Sequence, residues 1–201
     1  MKNIYAMLLL AGAMLTTAPA ATLTIPNGGA LIGAPGDLVG WDFTIESTPV
    51  QDGAATITPW LLISYVEFIP DPGLFPVGVF TAYLTLPQNS AVVVGPDSGT
   101  GEVNPWSQTF HATLQTGLGE YLINAFQSPG DQVTGQIVVY YDAYRVSPNS
   151  ASFDPGTDTL EVGLSMSAPV SVTVDGDAPV PEPSLPLVSG LAALALLLRR
   201  R

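Results

Sequence analysis

Along much of this chain hydrophobic side chains recur at every second residue, a period that suits a pleated strand with one buried face and that a helix cannot satisfy. Val39, Trp41, Phe43 and Ile45 fall on one side of such a strand, with Leu38, Gly40, Asp42, Thr44 and Glu46 on the other. The same reasoning predicts strands over residues 21–25, 60–68, 79–86, 91–94, 108–114, 121–125, 133–145, 159–166 and 170–174. Residues 135–142 are more continuously apolar, which marks a central strand covered on both faces. Pro35-Gly36, Pro72-Gly73, Pro129-Gly130 and Pro155-Gly156 punctuate the pattern. Such pairs turn the backbone, because proline presets φ and glycine accepts a positive φ. About nine or ten short strands separated by turn chemistry, with no long stripe of period 3.6, predict an all-β fold, an antiparallel β-sandwich.

The two ends depart from this pattern. Lys2 precedes an apolar stretch over residues 4–15, and Ala18-Pro19-Ala20 supplies the small residues of a signal peptidase site. Residues 1–20 are therefore read as a signal peptide, cut after Ala20. At the other end an apolar run over residues 185–198 is followed by Arg199, Arg200 and Arg201. Its fourteen residues would measure about 21 Å as a helix against a hydrocarbon core of about 30 Å, a length that suits a transient anchor. The arginines hold their end on the cytoplasmic side, as Lys2 does at the other, so the intervening part crosses. The chain then divides into a signal peptide (1–20), an exported β-domain (21–174), a Pro-rich linker (175–183) and a hydrophobic transmembrane helix with a basic end (184–201). In the linker Pro179, Pro181 and Pro183 fall at alternate positions, which forbids ladder bonding and keeps the backbone extended.

Composition excludes several classes of function. The chain has no cysteine, so disulfides, thiolate chemistry and lipid attachment at cysteine are ruled out. Between residues 21 and 180 sixteen carboxylates face one base, Arg145, a net charge near −15. That charge repels nucleic acid and anionic lipid. Lysine is absent from the same stretch, so no Lys to Asn isopeptide staple can form.

The tail resembles the PEP-CTERM sorting signal, and the residues that carry the likeness are Val180, Pro181, Glu182 and Pro183, the apolar residues 185–198 and the three arginines. The resemblance implies a Gram-negative bacterium and recognition by an exosortase, a membrane-embedded protease that cuts at or near Pro181-Glu182-Pro183. It further implies transient residence in the inner membrane, then release to the cell surface or an exopolysaccharide matrix. Residues 35–45 are similar to the Pro-Gly-Asp opening strand of bacterial immunoglobulin-like surface domains, which implies an immunoglobulin-like sandwich. Residues 133–137, with Tyr141-Asp142 and Ser147-Pro148-Asn149, look like a block that recurs in PEP-CTERM proteins. None of these likenesses carries catalytic residues, and the protein is read as non-enzymatic.

The remaining candidates for chemistry are few. His111 is the sole histidine, no Gly-x-Ser-x-Gly elbow accompanies it, and alternation points it to solvent. Asp42 with Glu46 and Glu67 with Asp71 are the carboxylate pairs that glycoside hydrolysis would need; strand alternation and a turn explain both. Asp154, Asp158 and Glu161 surround a turn with oxygen ligands that suit calcium, but their spacing departs from an EF-hand and Asp is an ordinary turn former. No metal or other cofactor is expected. Ser98-Gly99-Thr100-Gly101 lacks the following helix that a phosphate-cradling loop requires. Trp41 is expected in the core. Trp60 and Trp106, beside Pro59 and Pro105 at strand edges, are the candidates for stacking on sugar rings, which would make the domain a carbohydrate-binding module.

Overall fold

The computed structural model describes residues 20–84, 92–96 and 103–176, and all of them belong to one all-β body with several sheets. Thirteen strands lie among these residues: β1 (Ala21–Thr24), β2 (Ala30–Gly33), β3 (Leu38–Gly40), β4 (Phe43–Ser47), β5 (Val50–Asp52), β6 (Ala55–Ile57), β7 (Trp60–Pro70), β8 (Gly78–Ala82), β9 (Val92–Val94), β10 (Trp106–Gln108), β11 (Gly119–Ile123), β12 (Gln132–Tyr144) and β13 (Thr159–Val174). One helical turn, α1 (Pro155–Asp158), leads into β13.

The largest sheet has the order β2-β13-β12-β7-β9, and two three-stranded sheets have the orders β1-β4-β10 and β3-β11-β8. Their inner faces share one core. Trp41, Phe43, Ile45, Tyr121 and Ile123 from the small sheets meet Ile63, Val66, Ile137, Val139, Tyr141, Val170 and Val172 from the large one. Trp41 stacks on Phe68 at 6.2 Å and meets Tyr121 edge-on at 6.1 Å, bridging the layers. Sheets facing each other across a shared apolar core are consistent with a β-sandwich.

The predicted strand over residues 38–46 has the expected inward and outward faces but is interrupted where it changes partners. β3 pairs with β11, β4 pairs with β1 and β10, and at the break Trp41 O accepts Leu118 N–H while Asp42 Oδ1 accepts Phe110 N–H. The two predicted strands at 159–166 and 170–174 are one strand, β13: Ala168 and Pro169 between them pair with Ile137 and Gln136 of β12. Residues 108–114 are not a strand; β10 ends at Gln108, and His111 and Thr116 close a separate small hairpin. The sandwich is also not wholly antiparallel, because β2 runs parallel to β13. β12 is central as expected, yet within residues 135–142 only Val138 is buried on its outer face, where Gln136 is exposed and Tyr140 half-buried. β2 and the β5-β6 hairpin escaped the pattern because each is too short to show alternation.

Three of the Pro-Gly pairs make turns of one kind. Residues 34–37, 71–74 and 128–131 are each closed by a hydrogen bond from the fourth N–H to the first carbonyl. Gly36, Gly73 and Gly130 have φ of 90°, 85° and 89°, as the third position of a type II turn demands. Asp37 Oδ2 accepts Ala34 N–H and Asp131 Oδ2 accepts Ser128 N–H, both at 2.8 Å, so the sequence x-Pro-Gly-Asp builds the same capped turn twice. Pro155-Gly156 behaves differently and opens α1, with Asp154 as its N-cap.

Candidate functional site

Arg145, the only Lys or Arg among the described residues, follows β12 directly. Its guanidinium grips Asp52 of the β5-β6 hairpin at 2.5 and 2.8 Å and donates to Thr157 O in α1 at 2.7 Å. This fork holds the Asp52 carboxyl below its ordinary pKa, chiefly through the hydrogen bond, and raises that of Arg145 in turn. The base is committed to structure and offers no free cation to an anionic ligand.

Most of the candidate carboxylates are committed as well. Asp154 Oδ1 accepts Gly156 N–H at 2.9 Å and Asp158 Oδ2 accepts Asp154 N–H at 2.8 Å, so both close the α1 turn on itself, while Glu161 lies further on in β13 opposite Ala143. Among the described residues no three His, Asp or Glu side chains converge as metal ligands would. Asp42 caps Phe110 N–H at 2.7 Å, Glu67 accepts the Tyr140 hydroxyl at 2.6 Å, and Asp71 accepts the Thr134 hydroxyl at 2.5 Å.

His111 is exposed, although on a hairpin and not on the expected strand, at the rim of a shallow hollow of about 340 Å³ shared with Gln108, Phe110 and Leu114. Its Nδ1 accepts Leu114 N–H at 3.3 Å. That bond orients the ring but supplies neither a nucleophile nor a carboxylate to polarise it. A short side-chain pair nearby is Tyr83 with Glu120, at 2.5 Å. Desolvation first, and this hydrogen bond second, push the Tyr83 phenol up to about 12, so it stays protonated at neutral pH and serves as a strut. Sequence reading missed this pair, because Tyr83, just past β8, and Glu120, on β11, are 37 residues apart and no local spacing announces them.

The tryptophans do not form a sugar platform. Trp60 is 8% exposed, and a Cβ on Gly95 would lie 2.0 Å from its ring, so the indole is covered. Trp106 is half-buried and meets Phe43 edge-on at 4.8 Å. The exposed rings are elsewhere: Tyr65 on β7 stands half exposed on the outer face of the large sheet, stacked on its cross-strand partner Tyr140 at 6.1 Å, with Ser165 in the same row.

The sorting residues Val180, Pro181, Glu182 and Pro183, the anchor residues Arg199, Arg200 and Arg201, the signal peptidase residue Ala18 and the Ser98–Gly101 loop lie outside the described residues. Ala20 is described; its carbonyl accepts Thr48 N–H at 2.9 Å, just before β1 begins. No helix among the described residues is long and apolar enough to cross a membrane. Compared with known proteins, the chain matches no family model and no curated protein.

Proposed function

We propose that this chain is an exported, non-enzymatic surface or matrix protein whose tail is a PEP-CTERM sorting signal cut by an exosortase. The observation that carries the reading is the order of elements in the last residues: Val180-Pro181-Glu182-Pro183, an apolar run, then three arginines. The fold supports it in one respect. β13 ends at Val174, a core residue, and Asp175 and Gly176 after it are exposed, so every residue of the described core precedes the proposed cut. In this reading the β-body is an immunoglobulin-like sandwich, residues 185–198 form the transient transmembrane helix, and Glu182 is presented to the protease on an extended backbone. Cleavage after Ala20 would leave Ala21, a buried residue, as the first of β1.

The test is replacement of Pro181-Glu182-Pro183 by three alanines. The variant is expected to keep its tail and remain in the membrane fraction, while the native chain loses it. Normal maturation of the variant would falsify the assignment.

A second reading, a module that binds polysaccharide, is favoured by Tyr65 and Tyr140. Two neighbouring aromatic rings beside Glu67 and Ser165 on an open sheet face can stack on a sugar ring and bond its hydroxyls. Retention of the protein by an exopolysaccharide column, lost in Tyr65→Ala but not in Trp60→Phe, would support this reading. Equal elution of all three proteins would remove it.

A further inference from the structure

The end of the molecule at which the described chain stops also carries the two most exposed large apolar side chains among the described residues. Four segments meet there. Gly36 N–H donates to Ile123 O, Asn124 N–H to Val77 O, Gly130 N–H to Val174 O and Asp175 N–H to Gly33 O, all at 2.8–3.0 Å. These bonds gather the turns 34–37 and 128–131 around the end of β13, and Asp71 N–H, donating to Thr134 O at 2.9 Å, ties the 71–74 turn to the first residues of β12. Phe126 projects from the tip of the turn closed by Gln127 N–H on Asn124 O and is 99% exposed. Phe75, just past the 71–74 turn, is 89% exposed. The bond between Asn124 and Val77 holds their two segments side by side, each phenylalanine two residues from it. Behind them, Leu38, Leu122 and Val79 are in register across β3, β11 and β8 and form an exposed apolar row.

We propose that this end faces the lipid bilayer, with Phe75 and Phe126 entering the interface of a zwitterionic membrane while the tail is still attached. The inference rests on the sorting reading above and extends it to the orientation of the domain. Three observations carry it. The first is reach: the eight residues between Gly176 and the apolar run span at most about 28 Å, so the surface that emits the tail is held near the headgroups. The second is shape. The phenylalanines are isolated projections beyond the turns, which fit a deformable layer better than a rigid partner that would need matching pockets. The third is charge. Asp37, Asp71, Asp131 and Asp175 sit at this end, their oxygens accepting from Ala34, Thr134, Ser128 and Gly176, and no described Lys or Arg is there to hold an anionic headgroup. Tethering compensates for the small area of two side chains, because the second contact is intramolecular.

The absence of cysteine permits a clean test, since a single introduced thiol takes a single nitroxide label. The full chain, carrying its tail, is reconstituted into vesicles of phosphatidylcholine and phosphatidylethanolamine. It is labelled in turn at Ala125→Cys, beside Phe126, and at Thr113→Cys, in the hairpin at the other end of β11. Collisions with oxygen, which concentrates in lipid, are compared with collisions with an aqueous nickel chelate. The expected result is preference for oxygen at 125 and for nickel at 113. The preference at 125 should be lost in the Phe75→Ser, Phe126→Ser double variant and weakened when phosphatidylglycerol replaces phosphatidylcholine.

A chain that floats with the vesicles yet shows position 125 as aqueous as 113 overturns the inference and leaves the tail reading intact. A chain that does not float with them overturns the tail reading, and the inference with it. Spin–spin broadening at 125 that disappears on dilution with unlabelled protein would make a second copy the occupant and also overturn it.

Discussion

At the scale of single residues, the aromatic centre of the core is set by contacts that leave little freedom. Trp41 donates its indole N–H to Gly29 O at 2.8 Å in a buried position. Gly29 has φ of 71°, and a Cβ there would lie 2.5 Å from Pro169 O, so glycine alone lets the two backbones close up. Tyr121, fully buried against Trp41 and Phe68, is less well served. Among the described residues its hydroxyl has no hydrogen-bond partner; the backbone N–H groups of Val77 and Gly78 act on it but fall outside hydrogen-bond geometry, and burial raises its pKa. An unsatisfied buried hydroxyl costs about 1–3 kcal/mol. Tyr121→Phe is therefore expected to leave stability unchanged or to raise it by about 1 kcal/mol, read from urea midpoints. A loss above that size would mean that the hydroxyl has a partner.

At the scale of elements, one ion pair ties a peripheral hairpin to the body. β5 and β6 form a separate two-stranded sheet, and Asp52 at the end of β5 is the residue Arg145 grips. The Asp52 pKa is lowered from 3.8 in the folded chain, so this contribution to stability is present above about pH 4 and is lost as pH falls through the depressed value. Melting temperature followed from pH 6 down to pH 2 should fall less steeply below about pH 4 for Asp52→Asn than for the native chain. Identical acid limbs would show that the hairpin is not coupled to the body through this pair. Tyr83 acts at the opposite extreme: its raised phenol keeps the Glu120 contact up to about pH 10, and the contact is lost as pH climbs towards 12.

At the scale of the whole molecule, the last strand decides where the chain can end. Val170, Val172 and Val174 are all buried, and Ser171–Val174 also carry the parallel pairing with β2. Each buried valine is worth about 1.5–3 kcal/mol, so losing three removes an amount comparable to the whole stability of a typical domain. A chain ending at Val174 should melt cooperatively by circular dichroism, and one ending at Ala168 should show no transition. Equal melting of the two would remove β13 from the list of essential strands.

Much of the architecture was legible in the residue order. The period of two around Trp41, Phe43 and Ile45 determined which side chains face inward, because a pleated strand has no other way to bury them. The Pro-Gly pairs at 35–36, 72–73 and 129–130 determined three turns, because φ at those glycines has few rivals. The absence of cysteine and the near-absence of cations among the described residues limited the chemistry. What sequence could not disclose depends on contacts between distant residues. The partner switch at Trp41-Asp42, the parallel edge at β2, the cover over Trp60 and the union of Tyr83 with Glu120 are settled by which strands lie adjacent, and local spacing holds no record of adjacency. The same reason hid the gathering of three turns and two bare phenylalanines at one end of the molecule: each was visible alone, and only the closed sandwich brought them together.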